Sequence, residues 1–287
     1  MTTKNKNHLG IMQGRLSPAI NDRIQAFPLK TWQAEFKRAA TLGLTGIEWI
    51  FDQETESVNP LMTAAGVKRI LGLSAQCGVC VKSLVANYFM TARLFGDDQE
   101  RVKRVVKKLI LLITQCAQCR IKLIVLPFLE TSALTTNRAF SQVTENLRAP
   151  AAHAADLGIR LCLETSLEPP IFSRFLTKLS PLNISANYDM GNSAAAGYDP
   201  CREIRLLGKR IIGVHVKDRL FNGGTVPLGK GAVDFAAVFA TLRAIGYGGD
   251  YIFEAARQDL STCHPPKEPL VTAREYMAFI AQYMKKE

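Results

Sequence analysis

The chain has 287 residues, of which 47% are apolar and 21% charged, and its formal net charge is +11. This is long for one ordinary domain but suits a single α/β barrel, which typically needs about 250 residues. The apolar share supports a large core but excludes a membrane protein, because no run approaches the roughly 18 apolar residues of a spanning helix.

The opening stretch, Met1 to His8, is polar and Lys-rich with no apolar core after it, which argues against a secretory signal and for the cytoplasm. Short β-rich apolar runs then alternate with helical patterns along the whole chain. His8-Leu-Gly-Ile-Met-Gln predicts a first strand, and helical spacing follows over 31–43. Thr31 is placed to cap that helix, with Glu35 in its opening turns, and Gly43 falls just past its end. Gly46-Ile-Glu-Trp-Ile, Val79-Cys-Val-Lys-Ser-Leu-Val and Lys122-Leu-Ile-Val-Leu-Pro are the next strands, with helices at 60–76, 98–118 and 137–157. Ile159-Arg-Leu-Cys-Leu-Glu, Ile184-Ser-Ala-Asn-Tyr-Asp, Ile211-Ile-Gly-Val-His-Val and Asp250-Tyr-Ile-Phe-Glu complete the strands, with helices at 170–180, 200–208, 233–245 and 267–285. Gly158 and Gly246 fall just past helix ends, and Pro181 and Pro200 mark further boundaries. The strands are apolar on both faces, as helices on one side and a packed interior on the other require. Eight such alternations, with no G-x-G-x-x-G after the first strand, predict the α/β class as a single (β/α)8 TIM barrel, one domain over 1–287.

The seven cysteines include two C-x-x-C pairs, Cys77/Cys80 and Cys116/Cys119. Zinc or redox use would need further ligands at ribbon spacing, so free thiols in a reducing cell are the expectation. The basic run Arg101-Val-Lys-Arg-Val-Val-Lys-Lys has Val102, Val105, Val106 and Leu109 at helical spacing. It reads as a solvated helix face; without interleaved aromatics it does not read as a nucleic-acid patch.

A barrel of this kind gathers its functional residues at the C-terminal ends of its strands. There the fifth strand ends in Glu164, the sixth in Asp189, the seventh carries His215 and the eighth ends in Glu254. Each alone has an ordinary explanation: a helix cap, an ion pair, a core histidine. Together, three carboxylates at one rim repel unless a cation neutralises them. Oxygen ligands with one imidazole suit Mn2+ first, then Mg2+ or Co2+, with Zn2+ a poorer match.

The motifs Leu163-Glu164, Tyr188-Asp-Met-Gly-Asn192, Gly213-Val-His-Val-Lys-Asp218, Val226-Pro-Leu-Gly-Lys-Gly-Ala-Val-Asp-Phe235 and Phe253-Glu254 carry a resemblance. The chain resembles the xylose-isomerase-like superfamily of metal-dependent barrels, and within it the sugar-phosphate isomerase/epimerase group of L-xylulose-5-phosphate 3-epimerase. The resemblance implies metal ligands at Glu164, Asp189, His215 and Glu254, with Glu164 and Glu254 as the acid/base pair. It implies a small sugar or sugar phosphate as substrate, and a homo-oligomer. Two positions depart from the wider pattern: Asn192 stands where relatives acting on free ketoses often have His, and Lys230 stands where an acidic residue is common.

Proton abstraction next to a carbonyl leaves an enediolate, which a divalent ion stabilises and two carboxyl groups can form and discharge. Gln13, Arg15, Glu48, Asn192 and Arg219 are the candidate substrate contacts; Arg15 could grip a phosphate, and Arg219 could clamp substrate or hold the following loop. Asp218 reads as a residue that orients a neighbour, while Asn87 and Glu130 are weaker rim candidates. His8, His153 and His264 read as non-catalytic. A metal-dependent dehydratase of a cyclic polyol or keto-sugar and a non-catalytic sugar-binding barrel remain alternatives. An endonuclease-IV-like site, rich in imidazoles, does not match four histidines. No nucleic-acid or membrane partner is expected.

Overall fold

The computed structural model describes residues 9–20, 23, 25–257 and 268–284. Its strands are β1 (Leu9–Met12), β2 (Gly46–Ile50), β3 (Cys80–Val85), β4 (Leu123–Phe128), β5 (Arg160–Thr165), β6 (Ser185–Asp189), β7 (Ile211–Val216) and β8 (Tyr251–Phe253). They form a closed parallel barrel in the order β1-β8-β7-β6-β5-β4-β3-β2. Helices alternate with them as expected of the (β/α)8 class. Contacts group the chain into two units, residues 1–47 with 188–287, and residues 48–187.

In the second unit, α2 (Ala64–Cys77) starts later than its pattern predicts, because Pro60–Met62 forms a separate 3-10 turn. Thr63 caps α2 through Gly66 N–H at 3.1 Å. A Cβ on Gly66 would lie 2.0 Å from the Pro60 carbonyl oxygen, so only glycine allows this close return. Helix α3 (Gln99–Gln118) buries Val102, Val105, Leu109, Leu112, Ile113 and Cys116 and leaves Arg101, Lys103, Arg104 and Lys107 exposed. Each such buried Leu, Ile or Val contributes roughly 1.5–3 kcal/mol over leaving it exposed.

The helix expected at 137–157 is two helices, α4 (Asn137–Asn146) and α5 (Arg148–Asp156). Pro150 explains the break: it has no N–H, and its ring opposes the carbonyl four residues back, at Asn146. His153 on α5 meets Thr114 Oγ1 at 2.8 Å, a helix–helix contact that fits a non-catalytic role. Cys116 and Cys119 are buried, and burial pushes the Cys119 thiol up to about 12. Helix α6 (Pro169–Lys178) closes this half of the sequence alternation.

In the first unit, α1 (Trp32–Thr41) corrects one expectation. Thr31 makes no side-chain cap; its hydroxyl donates to Ser17 Oγ at 2.8 Å. Glu35 is buried under the loop after β1 and accepts from Gly14 N–H at 2.9 Å, Leu16 N–H at 3.2 Å and Ser17 Oγ at 2.9 Å. The remaining helices are α7 (Met190–Ala195), α8 (Pro200–Leu207), α9 (Phe235–Ala244) and α10 (Pro269–Met284). The left-handed glycines after helices stand at Gly43, Gly158 and Gly246, with φ of 72°, 63° and 75°. Residues 1–8, His8 and His264 lie outside the described residues. Among the described residues no helix is long and apolar enough to cross a membrane.

The Glu35 carboxyl gives a pH prediction. Burial pushes it up to about 7, against the backbone and Ser17 hydrogen bonds that favour its charged form. The folded state therefore holds this proton more tightly than the unfolded chain, whose ordinary value is 4.5. Its stabilising share is complete below that value and is lost as pH rises through about 7. The stability of the native protein relative to Glu35→Gln should fall by roughly 3 kcal/mol across this window and stay level above it. Urea unfolding from pH 4 to 8 checks this; a difference that does not change with pH contradicts it.

Candidate metal and acid/base site

The site's carboxylates leave strand ends, where the pleat and the barrel direct alternate side chains inward. Asp189 closes β6 and caps α7: its Oδ1 accepts from Asn192 N–H at 2.8 Å. Its Oδ2 lies 3.3 Å from Lys217 Nζ and 4.0 Å from His215 Nδ1. One carboxylate thus caps a helix and offers its second oxygen elsewhere.

His215 and Glu254 come from neighbouring strands, β7 and the end of β8, with His215 in register with Ile252. Glu254 Oε2 lies 2.8 Å from His215 Nδ1, and Glu254 Oε1 lies 2.6 Å from Lys217 Nζ. Burial would raise the Glu254 carboxyl, but the charge of Lys217 and the hydrogen bond and charge of His215 outweigh it. They hold that carboxyl well below the usual range. Glu164 on β5, in register with Pro127, accepts from Asn187 Nδ2 at 2.9 Å.

One ligand atom each from Glu164, Asp189, His215 and Glu254 lies within 4.8 Å of the others, and all four residues are buried. Three carboxylates and an imidazole, buried together, form a donor set that fits a divalent cation. The same burial leaves a bare cluster costly, which is why Lys217 bridging two of the carboxylates matters.

The other expected residues fall as follows. Gln13 and Arg15 are buried in the loop after β1, and Arg15 Nε donates to the Ala255 carbonyl at 2.8 Å. Burial pushes the Arg15 guanidinium down to about 10, while the charge of Glu254 acts the other way. Glu48, buried on β2, accepts from Ser83 Oγ at 2.7 Å. Arg219 Nη1 donates to Asn192 Oδ1 at 2.8 Å, and its Nε and Nη2 donate to the Gly223 carbonyl at 3.1 and 2.8 Å. It therefore braces the short hairpin Asp218–Arg219/Thr225–Val226 against α7. Asp218 orients its neighbours, as expected: it accepts from the N–H groups of Gly229, Gly231 and Val233 at 2.9, 2.9 and 3.2 Å. Asn87 precedes a single helical turn without capping it by its side chain, and Glu130 opens a 3-10 turn.

Two residues were given no role by sequence reasoning. Lys217 followed His215 in plain view, but nothing local shows that it reaches Glu254. Asn187 had a signal: it is polar in an apolar strand and shares a face with Asp189 two positions later.

Parallel strands closed into a barrel, with carboxylates and an imidazole at strand ends, define a (β/α)8 protein with a candidate metal centre. Residues 36–282 match the family described as xylose isomerase-like TIM barrel, and the chain belongs to that family. A stretch of 92 residues is 36% identical to the L-ribulose-5-phosphate 3-epimerase UlaE of Salmonella paratyphi C (strain RKS4594) and spans 31% of each chain, so under a third of that relative's length is matched. A D-psicose 3-epimerase crystallised in the presence of D-fructose superposes with a TM-score of 0.79 at 17% identity, over 96% of this chain and 99% of its own. An IOLI protein binding a zinc atom superposes with a TM-score of 0.75 at 15% identity, over 96% and 99%. At these identities the solved structures speak to the fold alone.

Proposed function

We propose that this chain is a metal-dependent epimerase or isomerase of a small sugar or sugar phosphate, working as one cytoplasmic domain. The observation that carries the reading is the convergence of Glu164, Asp189, His215 and Glu254, with one ligand atom from each within 4.8 Å of the rest. The partial likeness to an L-ribulose-5-phosphate 3-epimerase supports the substrate class.

Glu164, Asp189, His215 and Glu254 would hold a divalent ion, Mn2+ by preference, which would supply Lewis-acid stabilisation of the negative charge that proton abstraction creates. Glu164 and Glu254 form the acid/base pair: one removes the proton next to the carbonyl and the other returns one to the carbon. Inversion requires delivery from the opposite side; return to the neighbouring carbon gives aldose–ketose exchange. Lys217 keeps Glu254 ionised, as a base must be before it accepts a proton. Asn187 fixes the Glu164 carboxylate by donating to one of its oxygens. Gln13, Arg15, Glu48, Asn192 and Arg219 shape the substrate's surroundings, with Arg219 acting through Asn192.

Deuterium wash-in tests the reading. Metal-loaded protein is incubated in heavy water with L-ribulose 5-phosphate and with a panel of free ketoses, and the carbon-bound protons are followed by NMR. Exchange next to the carbonyl of at least one is expected. No exchange at full metal occupancy would sink the proposal. Mn2+ at about 100 times its Kd should also stabilise the fold by roughly 2.7 kcal/mol, reversed by EDTA in a thermal melt. An unchanged melt contradicts a metal centre.

A further inference from the structure

A cavity of about 260 Å3 is lined by none of the four residues of the carboxylate cluster. Tyr188 forms part of its wall and stands between Asn187 and Asp189 on β6, so its side chain leaves the opposite face of that strand. Met190 and Ser193 of α7, Val238 of α9, and Tyr198, Phe221 and Asp234 complete the features that matter. The volume falls just below the usual range for ligand pockets, so the occupant is small.

Tyr188 is 2% exposed, and its hydroxyl has no well-formed hydrogen bond among the described residues. Ser193 lies close by, and its hydroxyl donates to the buried Glu203 carboxylate. A buried hydroxyl that lacks a good partner carries a desolvation cost, which a bound polar group would relieve. At the rim, Phe221 is 64% exposed and rests on Gly197: a Cβ there would lie 2.7 Å from the ring. The hairpin thus presents an aromatic ring at the mouth.

Charge decides the class of ligand. Among the described residues Asp234 is the one charged residue of the lining, which has no Lys or Arg, although the chain carries +11 overall. Anions are therefore disfavoured. Three aromatic rings, Tyr188, Tyr198 and Phe221, beside one carboxylate form surroundings that attract a cation through ring faces and charge. We propose that this cavity binds a small organic ammonium ion with a hydroxyl tail, its charged head between Phe221, Tyr198 and Asp234 and its tail on the Tyr188 hydroxyl. An occupied cavity packs against α7, the helix that Asp189 caps.

Choline and its uncharged isostere 3,3-dimethylbutan-1-ol, titrated into the full chain and followed by saturation-transfer NMR, test this. Choline is expected to bind at millimolar concentration or below, and the isostere about tenfold more weakly. Asp234→Asn keeps the cap on α9, since Asn caps as well as Asp, and should weaken choline by about tenfold. Phe221→Ala, at an exposed tip, should weaken it similarly without unfolding the protein, as circular dichroism would confirm. The proposal is overturned if folded native protein ignores choline at about 20 mM, if the isostere binds equally well, or if both variants bind as the native protein does.

Discussion

Glu254→Gln is expected to lower turnover and deuterium exchange by about 10³-fold or more, the scale of losing a positioned acid or base. The replaced group sits 2.8 Å from His215 Nδ1 and 2.6 Å from Lys217 Nζ. An amide there keeps the shape but cannot take a proton. It also brings an NH2 group against one of two donors and removes the charge that pairs with Lys217. Glu164→Gln is expected to be equally silent, though gentler on the fold, because an amide oxygen can still accept from Asn187. Metal affinity measured beside activity separates the roles: a variant that binds the ion as the native protein does, yet exchanges no deuterium, has lost acid/base chemistry alone. Native turnover in either variant removes that residue from the pair.

Asp218→Ala is expected to destabilise the protein by about 3 kcal/mol. Asp218 is fully buried and accepts three backbone N–H bonds from residues 229–233. Truncation strands those donors, and bonds to a charged acceptor are stronger than neutral ones. Gly231 belongs to the same construction: a Cβ there would lie 2.2 Å from Asp218 Oδ1 and 2.5 Å from the Arg219 carbonyl oxygen. Gly231→Ala should therefore destabilise in the same direction, whereas Lys230→Ala, at an exposed position, should not. Urea unfolding measures all three; a shift below about 1 kcal/mol for Asp218→Ala would show that water replaces the carboxylate.

Local chemistry explains how much of this could be read in advance. The eight strand runs, the glycines after α1, α5 and α9, and the solvated face of α3 all follow from spacing within a dozen residues. The division at Pro150 was missed by the expectation of one helix over 137–157, although a proline inside a helical pattern removes a specific hydrogen bond and signals such a break. Asp189 shows the limit. Its place at a strand end was plain, but not that one oxygen caps α7 while the other turns toward Lys217. Glu35 is sharper still: an acid in a first helical turn is ordinarily a partner of the helix, and here it is the buried anchor of the loop after β1.

Chain order and residue pattern were enough to specify an alternating α/β barrel and to place Glu164, Asp189, His215 and Glu254 at strand ends, because backbone periodicity and the barrel's polarity are local rules. Through-space packing alone decided which of their oxygens meet, that Lys217 reaches both Asp189 and Glu254, and that Tyr188 lines a cavity. Distances between side chains remote in the chain depend on how the elements pack, and that is written in no short stretch of residues.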